Sequence, residues 1–333
     1  MPNYTQTVRR PRVAIAGATG QVGAALVQTL SGDRIDVVAL TRDPGNGRIP
    51  TSVDVAKIDF EVPRTLMDAL QGTDRLFLAH GTSDRQVANE IAIIDAAVAA
   101  GISHIVKLSA MGPPTRLHPF NWHIEIEAHL AKQDIGYAVL RPGPLVNGLA
   151  RAGATVIDGT WGGAAGEGRV NFVDTRDVAD VARIALLDDN STGSQRAYHL
   201  TGPNAVSMPE VALELSRLLG QMVEYRHRDP AEHRKLLIES GASDMAADLR
   251  LGLDRLFKDS VLAETTNTIL NLSGKKTRSV SGWSSDNRSL FQRTQQRGRL
   301  NRASLPSSET WPPAGARRWF ASFNTKKYSS AGK

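Results

Sequence analysis

The chain has 333 residues, 41% of them hydrophobic, enough for one large α/β domain with an extension or for two modest domains. It contains no cysteine, so disulfides, thiolate nucleophiles and cysteine-type zinc sites are excluded. The first twelve residues are polar and basic, and no stretch approaches the ~18 apolar residues of a membrane helix. We therefore expect a cytoplasmic protein with no membrane contact.

The net charge of +6 comes from the C-terminal end. Residues 289–333 hold nine Lys or Arg against the single acid Glu309, a local charge of +8, which leaves 31 bases and 33 acids elsewhere. This segment is rich in Ser, Arg, Gln and Pro, which predicts a disordered basic tail. Its interleaved tryptophans and phenylalanines are compatible with binding to nucleic acid or an anionic surface, but a solvated extension is favoured. We expect no specific nucleic-acid recognition.

Near the N-terminus, residues 13–23 read Val-Ala-Ile-Ala-Gly-Ala-Thr-Gly-Gln-Val-Gly, an apolar strand that runs into three glycines. This pattern predicts the phosphate-binding turn of a dinucleotide-binding βαβ unit. Gly17 permits the tight turn, Gly20 lets the pyrophosphate approach the backbone, and Gly23 lets the helix pack close to the strand. The helix N-terminus then faces the anion, and we assign to the same cofactor site Thr19, Gln21 and Val22. The alternative is a glycine-rich turn without a ligand.

Strand and helix patterns then alternate as far as residue 200. Strands are predicted at 12–16, 35–40, 53–58, 75–79, 103–108, 136–141 and 196–200, and helices at 21–31, 64–71, 85–100, 122–133 and 175–187. The alternation predicts an α/β fold, a doubly wound parallel sheet of the Rossmann type over residues 11–200. Residues 201–288 are predicted to form a small, mainly helical cap, with helices at 207–219, 229–239, 243–257 and 260–272 and a strand at 222–226.

The end of the second predicted strand indicates which dinucleotide is bound. Asp36 stands at the beginning of that strand, on the wrong edge for a ribose, whereas Thr41 and Arg42 stand at its carboxyl end. An arginine there can pair with a 2′-phosphate, so NADPH is favoured over NADH. The alternative is that Arg42 is a solvated loop residue, and the adjacent Asp43 weakens the NADPH interpretation.

Asp59 and Phe60 follow the third predicted strand. They are candidates to contact the adenine by a hydrogen bond and by packing. A helix cap beside a core aromatic residue explains them equally well.

Several further motifs resemble the signature blocks of one family. They are Lys107-Leu-Ser109-Ala110, Leu140-Arg-Pro-Gly143, Phe172-Val-Asp-Thr-Arg-Asp177 and Leu200-Thr-Gly-Pro203. With the glycine turn, Thr41-Arg42 and Asp59-Phe60, they make residues 11–288 similar to the NmrA-like atypical short-chain dehydrogenases/reductases. The resemblance implies either an NADPH-dependent reductase of quinones or other small electrophiles, or a redox sensor that binds the dinucleotide without catalysis.

The Tyr-x-x-x-Lys pair of the wider superfamily is missing, because no tyrosine is followed four residues later by lysine. Tyr137 and Arg141 come nearest, but they lie on a predicted strand. At the corresponding helix, His123 and Glu127 are four residues apart and share one face. NmrA-like proteins resemble this arrangement, which suggests His123 as a proton donor held charged by Glu127. The alternative is a structural pair that braces the helix.

Ser109 matches the superfamily's serine position and is a candidate to hydrogen-bond a substrate carbonyl. Backbone groups around Pro142, at the end of the sixth strand, are candidates to bind the nicotinamide carboxamide. The wall of the acceptor pocket is predicted from Leu145, Asn147 and Trp161, although ordinary packing also accounts for them. His80, His104 and His118 show no metal-ligand spacing, so we expect no metal.

The missing tyrosine favours an acceptor that takes a hydride with little acid assistance. The sequence therefore predicts an NAD(P)H-dependent oxidoreductase, an NADPH-dependent reductase of a small electron-poor quinone-like or carbonyl acceptor. The alternative is a non-catalytic NADP(H)-binding sensor that docks on a protein partner.

Overall fold

The computed structural model describes residues 9–46, 48–113, 120–157, 159–188 and 193–291. Its strands are β1 (Arg12–Ala16), β2 (Asp36–Thr41), β3 (Asp54–Lys57), β4 (Arg75–Leu78), β5 (His104–Leu108), β6 (Gly136–Pro142), β7 (Gly162–Gly163), β8 (Arg169–Val170), β9 (Gln195–Leu200), β10 (Val206–Ser207) and β11 (Arg226–His227). Nearly all of the predicted basic tail, residues 292–333, lies outside the described residues. His118 also lies outside them.

The helices are α1 (Gln21–Leu30), α2 (Pro63–Leu70), α3 (Gln86–Ala99), α4 (Phe120–Leu130), α5 (Gly153–Ile157), α6 (Thr175–Leu187), α7 (Met208–Leu219), α8 (Pro230–Glu239), α9 (Asp244–Lys258), α10 (Thr268–Ser273) and α11 (Val280–Asp286). Short 3-10 helices cover Pro44–Asn46 and Val146–Ala152.

Seven strands form one parallel sheet in the order β3-β2-β1-β4-β5-β6-β9. The chain direction across the sheet reverses between β1 and β4, and ligands of such sheets bind where the order reverses, outside the carboxyl ends of the strands. The predicted doubly wound Rossmann sheet is therefore confirmed. The glycine turn after β1 lies at this point.

Apolar side chains cover both faces of the sheet because helices pack on each side. Val13 and Ile15 of β1 lie in one core with residues of α1 and α6. Ala14 and Ala16, which alternate with them, lie in a second core with α2, α3 and α4. The result is a three-layer αβα domain. Its buried strands fix the position of the candidate site at their carboxyl ends.

A third core belongs to the cap, and it changes the predicted domain boundaries. It includes Val146, Trp161 and Phe172, from the segment between β6 and α6, together with residues of α7, α9 and α11. Ile269 of α10 packs instead with the α1/α6 core. A single boundary at residue 200 is therefore wrong, because the chain passes between the two parts more than once.

The boundary at residue 289 is also wrong. Phe291 is fully buried, and its ring contacts Trp283 of α11 edge-on, with 6.5 Å between the ring centroids. The helix predicted at 260–272 is helical only over α10, and the strand predicted at 222–226 is displaced to β11, which pairs with β7. No helix within the described ranges is long and apolar enough to cross a membrane.

Candidate active site

The glycine turn has the close contacts that its sequence predicts. Gly17 has a φ of +87°, and a Cβ there would lie 2.5 Å from the carbonyl oxygen of Ala79, just after β4. A Cβ on Gly23 would lie 2.2 Å from the carbonyl oxygen of Gly17, so only glycine lets α1 come this close to the turn. These two glycines have the roles assigned to them.

The N-terminus of α1 is open toward the carboxyl edge of the sheet. Gly20 is its N-cap residue and supplies no side-chain cap, while the neighbouring Thr19 is half-buried and Gln21 is exposed. Val22 points into the core, so it can contribute only its backbone N–H. A helix N-terminus without its own cap suits an anionic phosphate group. The turn therefore fits the pyrophosphate of a dinucleotide.

Arg42 lies directly after β2 and is exposed at the carboxyl edge. Asp36 pairs with Arg12 in the register of β1 and β2, at the opposite edge. The carboxylate of Asp43 accepts a hydrogen bond from the backbone N–H of Gly45 at 3.2 Å. Arg42 therefore lies at the carboxyl edge, while Asp43 is turned into its own loop; a contact of Arg42 with a 2′-phosphate remains a prediction.

Asp59 lies in a local turn, where its Oδ1 accepts a hydrogen bond from the backbone N–H of Glu61 at 2.9 Å. Phe60 packs against the α2/α3/α4 core and contacts the ring of His80 edge-on, with centroids 5.8 Å apart. The structure thus gives both residues local roles. Their contact with an adenine remains a prediction.

A buried ion pair, which sequence reasoning missed, lies under the predicted catalytic helix. Lys107 of β5 and Glu90 of α3 are both fully buried, with 2.8 Å between Nζ and Oε2. The other carboxylate oxygen of Glu90 accepts a hydrogen bond from Gln86 at 2.9 Å. The Nζ of Lys107 also lies 3.3 Å from Nδ1 of His123.

His123 is therefore next to a cation rather than a carboxylate. Burial, and secondly the charge of Lys107, lower the pKa of His123 to about 3. The imidazole is neutral at physiological pH. The prediction that His123 acts as a charged proton donor is wrong, although a neutral imidazole still donates one hydrogen bond.

Glu127 faces the other way, toward β6. The guanidinium of Arg141 donates to both of its carboxylate oxygens, with Nε–Oε distances of 3.2 and 3.3 Å. The prediction that Glu127 holds His123 in its charged form is therefore wrong. The two residues lie on one helix, but their side chains pair with different strands.

Ser109 is buried at the end of β5 and donates its hydroxyl proton to Oε1 of Glu127. A serine hydroxyl has a single proton. In this arrangement Ser109 is not the donor to a substrate carbonyl that the sequence predicts. Its oxygen remains able to accept a hydrogen bond.

The backbone at the end of β6 is largely used by the fold. The carbonyl of Pro142 accepts from the N–H of Met111 at 2.8 Å, and the N–H of Gly143 donates to the carbonyl of Leu200 at 2.8 Å. The expectation that free backbone groups here bind the carboxamide is wrong for the N–H of Gly143. The carbonyl of Pro142 has a second lone pair, so its contact with a carboxamide remains a prediction.

The three predicted acceptor-pocket residues do not form one wall. Asn147 accepts a hydrogen bond from Thr175 and lines a cleft of about 380 Å³ together with Gln21 of α1. Leu145 packs against the α1/α6 core. Trp161 is buried in the cap core, where its ring contacts Tyr225 edge-on at 5.2 Å. Trp161 is thus a packing residue of the cap.

Two signals in the sequence pointed to the missed residues. Lys107 interrupts the apolar strand His-Ile-Val-Lys-Leu, and a charge on a strand that is buried on both faces requires a buried partner. Glu90 lies on the buried side of α3, where most of its neighbours are apolar. Arg141 is the half-buried penultimate residue of the apolar strand β6, and its hydrogen bonds with Glu127 raise its pKa.

Comparison with known proteins agrees with this geometry. The family described as NAD(P)H-binding matches residues 17–189. The NAD(P)H azoreductase of Xenophilus azovorans is 28% identical over 284 residues, 84% of this chain and 99% of that protein. Quinone oxidoreductase 2 of Escherichia coli K12 is 31% identical over 261 residues, 74% of this chain and 91% of that protein.

A solved structure gives the same result for the fold. The NADPH-dependent quinone oxidoreductase of Escherichia coli, complexed with NADPH, superposes with a TM-score of 0.75 at 26% identity, over 83% of this chain and 99% of that chain. The chain belongs to the NAD(P)H-binding family, within the quinone-reductase-like group that its motifs indicate. The predicted class, an NAD(P)H-dependent oxidoreductase, is confirmed.

Proposed function

We propose that the protein is an NADPH-dependent reductase of small, electron-poor acceptors of the quinone or azo type. The observation that carries this proposal is the contact of His123 with the buried Lys107 at the carboxyl edge of the sheet, 3.3 Å from Nδ1 to Nζ, and this cation together with burial lowers the pKa of the imidazole. The site offers a hydrogen-bond donor. Among the described residues, it offers no side chain that would act as a strong general acid. Such a site suits an acceptor that is already easily reduced.

The relatives support the same class of acceptor. Two of them are an azoreductase and a quinone oxidoreductase, and both span most of this chain. Their similarity extends over the cap as well as the nucleotide-binding domain. An azo or quinone compound is therefore the first acceptor to test.

NADPH, when bound, supplies the hydride. The glycine turn and the open N-terminus of α1 would bind its pyrophosphate, and Arg42 would pair with the 2′-phosphate. His123 donates a hydrogen bond to the acceptor atom that gains electron density, and the proton needed to complete the reduction comes from water. Glu127 and Arg141 compensate each other's charge beside Ser109 and so keep net charge away from the acceptor.

The test is a titration of the full chain with NADPH and NADH, followed by nicotinamide fluorescence, with a panel of quinones and azo compounds then added. We expect NADPH to bind more tightly than NADH and to be oxidised when an acceptor is added. Tight NADPH binding without oxidation by any acceptor would overturn the reductase proposal and favour the sensor. Equal affinity for the two dinucleotides would overturn the NADPH assignment alone.

A further inference from the structure

Lys107 and Glu90 form a buried pair behind His123, the residue proposed to meet the acceptor. Neither side chain is exposed, so neither can touch a bound substrate directly. A buried ion pair is weak evidence for stability, because apolar residues of similar volume commonly stabilise a protein as well. The contact of this pair with His123 suggests a different role.

The surroundings of the Lys107 ammonium determine which atom donates and which accepts in its contact with His123. Nζ has three close neighbours, which are the carbonyl of Leu108, Oε2 of Glu90 and Nδ1 of His123. A charged lysine has three donors and no acceptor, so each neighbour must offer a lone pair. The carboxylate of Glu90 forms a buried salt bridge with Nζ. Nδ1 of His123 therefore accepts, and the single ring proton lies on Nε2.

We propose that Lys107 is a positioning residue, which Glu90 holds in place and which fixes His123 as the tautomer carrying its proton on Nε2. Nε2 is on the opposite side of the ring from Nδ1, and no described residue forms a hydrogen bond with it. His123 thus presents a permanent donor to the site. The kinetic consequence rests on the proposed reductase function, whereas the tautomer itself does not.

The protein contains a histidine with the opposite arrangement. Nδ1 of His80 lies 2.6 Å from the carbonyl of Gly81 and so donates its proton, while Nε2 lies 3.0 Å from the side-chain amide nitrogen of Asn89 and accepts. Burial also lowers the pKa of His80, so both rings are neutral. His80 provides an internal reference with its proton on Nδ1.

The charged groups around His123 do not disturb the tautomer near neutral pH. Lys107 faces it from β5, with Glu90 behind on α3, while Glu127 on its own helix is paired with Arg141 of β6. We therefore expect the Nε2–H form to persist between about pH 5 and pH 8, the range in which an unperturbed histidine titrates.

The experiment is ¹⁵N NMR of the histidine rings in the full chain, with the His123 signals assigned by their loss in His123→Gln. The wild type is expected to show a protonated Nε2 on His123 and a protonated Nδ1 on His80. A protonated Nδ1 on His123 in the wild type would overturn the inference without any variant. That outcome would leave the proposed reductase function untouched.

Two matched variants test the cause. Both carry Glu90→Gln, which keeps an acceptor for Gln86, and they differ only at Lys107, as Lys107→Gln or Lys107→Met. The glutamine keeps an N–H donor without charge, so the Nε2–H tautomer should remain. The methionine has no donor, so Nδ1–H should become populated and the pKa of His123 should rise. An unchanged tautomer in the methionine variant would show that Lys107 does not fix it.

Kinetics separate positioning from a loss of folding. The methionine variant should lose about tenfold or more in kcat, while its Kd for NADPH stays as in the wild type. The glutamine variant should recover most of that loss. A wild type that reduces no acceptor would refute the proposed function, yet the tautomer measurement would still decide the role of Lys107.

Discussion

At the residue scale, the site separates two titratable side chains that share a helix face. Glu127 is neutralised by Arg141, and His123 is kept neutral by burial and by Lys107. The imidazole of His123 is therefore uncharged near neutral pH, and the charge of Glu127 is balanced by that of Arg141. We accordingly expect chemistry that uses hydrogen bonds and electrostatics rather than a titrating acid.

Arg42 allows a direct test of cofactor selectivity. Arg42→Ala should weaken NADPH binding by about 1.5–3 kcal/mol, the usual cost of losing a hydrogen bond to a charged group, and should leave NADH binding nearly unchanged. Titrations of both dinucleotides measure the difference. Arg34→Ala is the matched control, because Arg34 is an exposed arginine before the amino end of β2. An equal loss for both dinucleotides would remove Arg42 from the 2′-phosphate site.

The sequence identified the residue positions of this site better than their partners. Ser109, His123 and Glu127 do lie together at the carboxyl edge, as the motifs predict. Helical spacing shows that His123 and Glu127 share a face, but it cannot show which strand each side chain meets. The pairing with Lys107 and Arg141 depends on the register of β5 against β6, which is a long-range property.

At the scale of elements, the close approach of α1 to the glycine turn is the contact most sensitive to a single methyl group. Gly23→Ala should push the helix away from the carbonyl of Gly17 and destabilise the fold by about 1–3 kcal/mol. NADPH affinity should fall as well, because the helix N-terminus moves. Thermal unfolding and NADPH titration measure both effects.

Gly32→Ala is the control for that variant. Gly32 follows α1 closely, and a Cβ there would have no neighbour within 4 Å. Its melting temperature should stay near that of the wild type. Similar melting temperatures for both variants would contradict the close packing at Gly23.

The predicted strands of the main sheet agree with the structure to within about two residues at each end. The central strands β1, β4 and β5 are buried on both faces, so their apolar runs are easily detected, whereas three residues are exposed in each of the edge strands β3 and β9. The chain after residue 145 was less predictable because β7, β10 and β11 have two residues each and α10 has six. Elements this short leave no period in the sequence, and only their packing defines them.

At the scale of the whole molecule, the fold extends to Phe291. A chain that ends at Arg288 should lose about 3 kcal/mol or more of stability, because a buried phenylalanine leaves the cap core. A chain that ends at Phe291 should keep the melting temperature of the full chain. Both truncations remove the same nine basic residues, so charge does not differ between them. Equal melting temperatures would place the end of the fold before Phe291.

The repeated passage of the chain between the two parts has a consequence for protein engineering. Residues 146–172, 206–262 and 280–291 contribute to the cap core, while α6, β9 and α10 return to the sheet between them. Backbone hydrogen bonds tie these passages together, as from Asn171 to Leu262. The cap therefore cannot be transferred between proteins by exchanging one continuous segment. Exchanging acceptor preference between relatives would require three segments to be grafted at once, with their mutual contacts intact.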